Sequence, residues 1–560
     1  MKSLRKINKK IVTLIILFLF AMSILPSIGK APTHSYAQVM LPSDYFIKIN
    51  HTCWISYLVK ENVTRRIGIT IEPPFYLTHV TVKKTIKPNL FGEIELHGTI
   101  TYKSSGVITL NAWLTIFSNQ DSVLFLKAEN KTTENIPFFY RVSYEDEKSK
   151  VWRTREIFPI LYTNNILDPV SNPMRIEKSA SYKTGGEPYF FQTLRYDEVI
   201  HQVLKGPIFN YKNLPDGLQE RVDSVASSEV VTQQGRLTFD NIALFGSESF
   251  LEDWMFFSNN HLLSINSSVT KKIIQTLDFY KLKRYSRDGF YYKCVSDGYR
   301  GENDSTYYWD YSMYGARSIL EYYYSGDQSL FYDIAMLSFL SLSRNRNASG
   351  YWSNQTVSSW LATDYNITSV YFDTRFNVDA GIFLLEVYKN FKIPYALTMA
   401  EKIGNILLVM MQNGKAYPTA NHGYLLQDYD VSFTSTKRTH ASLNHVLNES
   451  SFFLLLFETT HQEEYLFASN KLMLGIMATE EKWKDKTTGD LFYCMFPDKS
   501  FGRKDYVTLT YHDLIRSKRL LLSVLGLENR TIQRLGSFKE THLLYLGMIK
   551  SKKFLTGKVF

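Results

Sequence analysis

The chain has 560 residues, 44% of them hydrophobic and 15% aromatic, with a formal net charge of +10. Residues 1–37 hold six Lys and Arg and no acid, so the remaining 523 residues carry only +4. That is too mild for a nucleic-acid binder, and no basic patch interleaved with aromatics accompanies it. Cys53, Cys294 and Cys494 are odd in number and far apart, which fits neither a disulfide framework nor a zinc site.

The first element in chain order is a targeting segment. Lys2, Arg5, Lys6, Lys9 and Lys10 precede an apolar run from Ile11 to Leu25, and Ser35-Tyr-Ala37 has the small-x-small form of a signal-peptidase site. Residues 1–37 are therefore expected to be a signal peptide that sends the protein to the cell surface or the medium. An uncleaved anchor is the alternative, although about fifteen apolar residues is short for a membrane span.

Residues 38–190 read as a β-rich domain. Short runs of β-branched and aromatic residues, such as Arg66-Ile-Gly-Ile-Thr-Ile71 and Leu77-Thr-His-Val-Thr-Val82, alternate with turn residues. Such spacing predicts an antiparallel β-sandwich or barrel. Residues 191–250 are mixed in pattern and are expected to be a connecting region with a little helix.

From 251 to 560 the pattern is helical and repeats. A helix ending near Tyr322-Tyr-Tyr-Ser-Gly326 precedes one from Ser329 to Ser343. The arrangement recurs as Val378 to Phe391 with Tyr395 to Met411, Leu443 to Thr460 with Glu464 to Met477, and Leu509 to Leu525 with Thr531 to Ile549. Between pairs lies a Gly-x-aromatic element, at Gly289, Gly350, Gly414 and Gly489, spaced by 61, 64 and 75 residues. Helical hairpins of this kind bury their apolar faces only by stacking or closing into a ring. The expected fold is α+β and multidomain: the β-sandwich or barrel, then an α/α toroid of helical hairpins. A short α-solenoid is the alternative.

Polar and aromatic residues collect where each first helix begins. These stretches contain Asp310 and Tyr311; Asp373, Arg375 and Asn377; Arg438, His440, Asn444, His445, Asn448 and Glu449; and Tyr511, Asp513 and Arg516. Helical spacing of four places His440, Asn444 and Asn448 on one stripe, with His445 and Glu449 beside it. In a ring these starts meet at one mouth. Taken singly, each has a plain structural explanation; Asp373, for one, is placed to cap a helix. Taken together, aromatics with carboxylates, amides and arginines suit sugar rings, whose apolar faces stack and whose hydroxyls pair with polar groups. A polysaccharide or oligosaccharide is the expected partner, the membrane being touched only through an uncleaved N-terminal segment. No cofactor and no metal is expected: His445 and Glu449 lack a persuasive third ligand, and no phosphate loop or nucleophile elbow is present.

The stretch Leu447-Asn448-Glu449-Ser-Ser-Phe-Phe-Leu-Leu-Leu-Phe457 is similar to the Leu-Asn-Gly helix of the D-glucuronyl C5-epimerases, and Thr510-Tyr511-His512-Asp513 resembles their terminal Tyr-His-Thr-Thr-His segment. Glu449 stands where that family has Gly, and its second terminal His is missing here. The resemblance covers at most residues 280–550. It implies an α/α barrel whose mouth tyrosines and a glutamate handle the C5 proton of a uronate. Such chemistry needs two proton-transfer groups on opposite ring faces and neutralisation of the carboxylate. Glu449, His445, Tyr511, Tyr311 and Asp310 are the candidate catalytic groups. Arg375, Arg438 and Arg516 are candidates to hold the carboxylate, and Asp373, Asn377, His440, Asn444, Asn448 and Asp513 to bind the rest of the sugar. A β-eliminating lyase shares the first step. A glycoside hydrolase with paired carboxylates, and a non-catalytic surface glycan-binding protein, are the alternatives.

Overall fold

A computed structural model describes residues 46–49, 52–59, 63–71, 75–87, 91–102, 106–146, 156–158, 189–196, 199–205, 208–222, 226–233, 236–258, 262, 283–294, 306–313, 316, 317, 320, 329–355, 359–368, 370–431, 437–549 and 554. The expected signal peptide lies outside these residues, and so does the helix expected to end at Gly326 apart from Ala316, Arg317 and Leu320, which are helical.

Two antiparallel sheets face each other. The smaller runs, in spatial order, Phe46–Ile49, Thr52–Val59, Val63–Ile71, Ile136–Asp146, Arg236–Phe245 and Ala226–Gln233. The larger has thirteen strands, its main path running from Lys283–Ser286 at one edge through Gly289–Lys293, Thr306–Trp309, Gln219–Val222, Phe209–Asn213, Phe250–Ser258, Ser122–Asn130, Gly106–Phe117 and Phe91–Tyr102 to Phe75–Lys87. Ile67, Ile69 and Ile71 of the small sheet and Ile108, Leu110, Ala112 and Leu114 of the large one share one core, with the period of two that puts alternate side chains on one face. Tyr144 stacks on Phe257 across the two sheets at 4.7 Å.

The other face of the large sheet is also covered. Trp113, Phe117, Phe125 and Phe256 pack with Tyr285, Phe290 and the helix α1 (Ser329–Asn345) in the core of the helical part. A sheet buried on both faces loses its polar alternation, as Phe250–Ser258 shows with all but one of its residues buried. Buried polar groups tie sheet to helix. Ser118 bonds Tyr332 at 2.8 Å, and Asn119 donates to Asp333 at 2.9 Å. Asp121 beside it is pushed up to about 6 by burial, against the pull of hydroxyls and Arg65. Asp333 is pushed well above the carboxylate range by burial and by Asp121.

Two expected boundaries are corrected here. The described residues of the connecting region 191–250 are mostly strands that belong to both sheets, and residues 251–258, 283–286, 289–293 and 306–309, assigned to the helical domain, extend the large sheet. Central strands covered on both sides carry too little period-two patterning to be told from a mixed linker.

The helical part follows with α2 (Ser359–Tyr365), α3 (Thr374–Phe391), α4 (Pro394–Gln412), α5 (Leu443–Thr460), α6 (Glu463–Ala478), α7 (Leu509–Leu525) and α8 (Arg530–Tyr545). Helices α3 to α8 form the αα-hairpins α3/α4, α5/α6 and α7/α8, whose first helices pack side by side in the order α3, α5, α7, with α1 against the free side of α3. That neighbourhood makes α5 inner: every residue from Leu443 to Leu456 is buried. The four repeat glycines all take the left-handed backbone, with φ between +73° and +89°, turning the chain into the short strands that precede the next first helix.

Candidate active site at the starts of the first helices

The strands between hairpins bring the helix starts together. Phe372–Asp373, just before α3, pairs with Tyr429–Asp430, and Ala441–Ser442, just before α5, pairs with Cys494–Met495. Asp428 joins two of these starts. Its carbonyl accepts from Thr374 N at 3.0 Å, its amide donates to His440 O at 2.9 Å, and its carboxylate accepts from Ser442 N at 2.8 Å.

Around Asp428 stand two imidazoles. His440 Nε2 lies 3.2 Å and His445 Nε2 3.6 Å from Asp428 Oδ2. His445 Nδ1 is 2.8 Å from the Thr374 hydroxyl, and His440 Nδ1 is 2.8 Å from Tyr365 OH. Rings of Trp360, Tyr365, Tyr429 and Tyr493 enclose His440 with centroids 5.4–5.6 Å away.

A second layer is ionic. Arg375 Nε donates to Asp379 at 2.9 Å, Nη1 to Asn444 O at 3.0 Å, and Nη1 and Nη2 grip both oxygens of Asp513 at 2.6 and 3.1 Å. Asn448 donates to Asp379 at 2.9 Å and accepts from Arg516 at 2.7 Å. The first turns of α3, α5 and α7 are thereby cross-linked, with little of Arg375, Asp379 or Asp513 exposed.

Burial and neighbours drive the titratable groups apart. Burial raises Asp373 to about 7, against its cap bond from Phe376 N and with a further push from Asp428. Burial also raises Glu449 well above the carboxylate range, despite the Thr374 hydroxyl. For Asp428 burial acts upward but is outweighed by His445 and His440, so it stays low. For Asp379 burial is likewise overcome, by Arg375, Arg516 and Arg317. Burial lowers His445 to about 4. At neutral pH the cluster thus holds a neutral imidazole, a neutral carboxylic acid, two carboxylates and a carboxyl poised near 7, the assortment acid–base chemistry uses.

Two further guanidiniums border the ionic layer, both acting on Asp379. Arg516 is the most exposed member of the ionic network, at 20%. Burial and the neighbouring Arg317 lower it to about 10. Arg317 Nη1 is buried and has no hydrogen-bond partner among the described residues.

The structure thus gathers Asp373, Arg375, His440, Asn444, His445, Asn448, Glu449, Asp513 and Arg516. Other residues lie elsewhere. Tyr511 OH donates to Glu540 of α8 at 2.9 Å, directed away from the cluster because the phenol pairs with a buried carboxylate. Asp310 accepts from Ser312 in a local turn, and Tyr311 packs on Trp352 and Phe376 beside a separate cavity. Asn377 is taken up by the backbone of Trp352 and Asp373. Arg438 is exposed and covers the Tyr417 ring. Arg375, with Nε, Nη1 and Nη2 all bonded within the protein, is not placed to grip a ligand carboxylate.

Asp428, Thr374, Arg317, Trp360 and Tyr365 do not stand out in the sequence. Asp428 lies in the connection between hairpins rather than at a helix start. Its only local signal is the polar-aromatic run Gln427-Asp428-Tyr429-Asp430 just after the Gly414 element.

No family model matches the chain, and no curated protein matches it. Among solved structures, it is similar to a glycoside hydrolase family 76 mannosidase from Bacteroides thetaiotaomicron VPI-5482, at 13% identity over 48% of this chain and 69% of that one, with a TM-score of 0.34. A family 76 glycoside hydrolase from a bovine Bacteroides thetaiotaomicron strain gives 11% identity, 75% and 74% coverage and 0.35. The cellobiose 2-epimerase from Bacillus thermoamylovorans B4167 gives 12%, 51% and 70%, and 0.35.

Proposed function

We propose that this chain is an exported carbohydrate-active enzyme with a toroidal helical domain, and that it abstracts the C5 proton of a uronate unit in a polysaccharide, as an epimerase or a lyase. The observation that supports this best is the pairing of an anion-seeking edge with the acid–base cluster. Two guanidiniums that repel one another, Arg317 and Arg516, both act on Asp379 in the ionic layer of the cluster that holds Asp373, poised near 7. A carboxylate placed between them relieves that repulsion and, once neutralised, makes the adjacent C–H more acidic.

In this scheme His445, neutral at pH 7, takes the C5 proton, and the electron pair passes into the uronate carboxylate held by Arg317 and Arg516. Asp373 returns a proton from the opposite face, which completes epimerisation. Donation of that proton to the C4 oxygen instead, with cleavage of the C4–O bond, yields the unsaturated lyase product. Thr374 holds His445, and Glu449 beneath it stays protonated.

The test is incubation with glucuronan, mannuronan and polygalacturonate in deuterated water, followed by NMR and ultraviolet absorbance. Deuterium at C5 or an unsaturated uronate is expected. Neither signal on any polymer overturns the proposal. A hydrolase is the second reading, favoured by carboxylates shifted in opposite directions, Asp373 and Glu449 up and Asp379 and Asp428 down. New reducing ends without C5 deuterium select it.

A further inference from the structure

A cavity of about 350 Å³ lies between the large sheet and the helical part, built from four chain segments: 213–219, 288–291, 309–311 and 345–355. Its size falls in the lower range of small-ligand pockets. Tyr291, Trp309 and Tyr311 supply aromatic walls, and Leu218 adds an apolar side chain. Among the described residues, the polar lining consists of amides, one serine and Asp288, with no Lys or Arg. None of this takes part in the acid–base cluster.

The walls are pre-set. Trp309 Nε1 donates to Asp288 O at 2.6 Å, which holds the indole. Asn345 donates to the Asp288 carboxylate at 3.2 Å, and Asn354 donates to Tyr371 OH at 3.0 Å. Gln219 donates to Asn213 at 3.2 Å. On the sheet side the turn Pro215–Gly217 comes so close to Gln355 that a Cβ on Gly217 would lie 2.5 Å from its Oε1.

We infer that this cavity binds a neutral sugar unit of an oligosaccharide or polysaccharide, at a site distinct from the acid–base cluster. Three features select that ligand. Aromatic walls with amides match a ring that has apolar faces and hydroxyl edges. The Asp288 carboxylate in the lining disfavours an anionic unit. Trp309 and Tyr311 stand 43° apart with centroids at 5.7 Å, a cup for a puckered ring rather than a parallel slot for a planar base. The site also adjoins the cluster: Tyr311 lines it and packs, at 5.5 Å, on Phe376 in the first turn of α3. A polymer with neutral units next to uronates can therefore span both.

The test is calorimetric titration of the full chain with short cello-, malto-, manno- and galacto-oligosaccharides, and separately with adenosine. At least one neutral oligosaccharide is expected to bind. Trp309→Ala should weaken it about tenfold, the scale of a lost aromatic contact. Gln355→Ala, at an exposed rim position, should weaken it by a smaller factor of about three. Asp373→Asn should leave it unchanged. If Trp309→Ala does not fold, Gln355→Ala decides. No oligosaccharide binding, binding of adenosine alone, or binding untouched by Gln355→Ala each overturn the inference. Because C5 exchange is not the readout, failure here leaves the proposed reaction standing, and the reverse holds as well.

Discussion

The cluster at the starts of α3, α5 and α7 and the cavity beside the large sheet are separated by little more than Tyr311 and Phe376, yet they treat charge differently. In the cluster, carboxylates, guanidiniums and imidazoles are taken out of water, and its ionic layer is paired internally, as with Arg375 between Asp379 and Asp513. In the cavity, one carboxylate faces aromatics and amides in a space that stays open. Burying charges shifts their proton affinities and creates reactive groups; lining a space with neutral groups creates recognition without reactivity. The first arrangement suits chemistry, and the second suits holding a chain in place.

The comparison breaks most visibly at Asp373. Asn caps a helix as well as Asp, so Asp373→Asn should keep the fold while cutting C5 exchange by a factor of about 10²–10⁴, the range of a lost acid–base group. Exchange measured by NMR at an unchanged level would show that the carboxyl is only a cap. Next in size, Arg375→Ala should cost about 3–5 kcal/mol in a denaturant titration, because Asp379 and Asp513 are left as buried, uncompensated charges. A loss below about 1 kcal/mol would mean that the network is not what joins the helices.

The pH response sharpens the same contrast. Asp373, Asp333 and Glu449 keep their protons in the folded chain above the pH at which the unfolded chain releases them. The unfolded state then binds fewer protons, so each contributes stability at low pH that is lost as pH rises through its folded value, about 7 for Asp373. His445, held near 4, acts the other way between about 4 and 6.5. Above pH 6.5 the carboxyls act alone, so Tm should fall between pH 6.5 and 8. Glu449→Gln and Asp333→Asn should each flatten that fall in thermal scans, and a Tm that climbs over this interval would contradict the buried acids. Oligosaccharide affinity at the cavity should stay flat in the same interval. Smallest is Gly217→Ala. With φ at +70° and Gln355 in the way, it should cost about 1 kcal/mol in denaturant and weaken oligosaccharide binding slightly, with C5 exchange intact.

Much of the helical part was legible in the residues. The spans Leu443–Thr460 and Leu509–Leu525 follow directly from apolar patterning and their polar or turn boundaries. The four glycines mark real left-handed turns because no other residue adopts that backbone at so little cost. Convergence of Asp373, His440, His445 and Glu449 follows from the repeat, since equivalent helix starts in stacked hairpins share one end. The sheet strands between 191 and 250 were not legible, because strands inside a covered sheet and strands that serve two sheets blur the alternation. Tyr511 misled for a different reason: its position on α7 is right, but its hydroxyl is claimed by Glu540 on the next helix.

What the sequence by itself determined is the order of β-rich and helical parts, the hairpin repeat and the chemical types gathered at the helix starts. These depend on local propensity and periodicity, which a linear pattern records. Only the tertiary structure decided that Arg375 is bound up within the protein while Arg516 is partly exposed, that Asp428 joins the two histidines, and that a cavity of aromatics and amides lies beside the cluster. Partner choice and proton affinity depend on which groups from distant segments share a buried space, and no spacing along the chain encodes that.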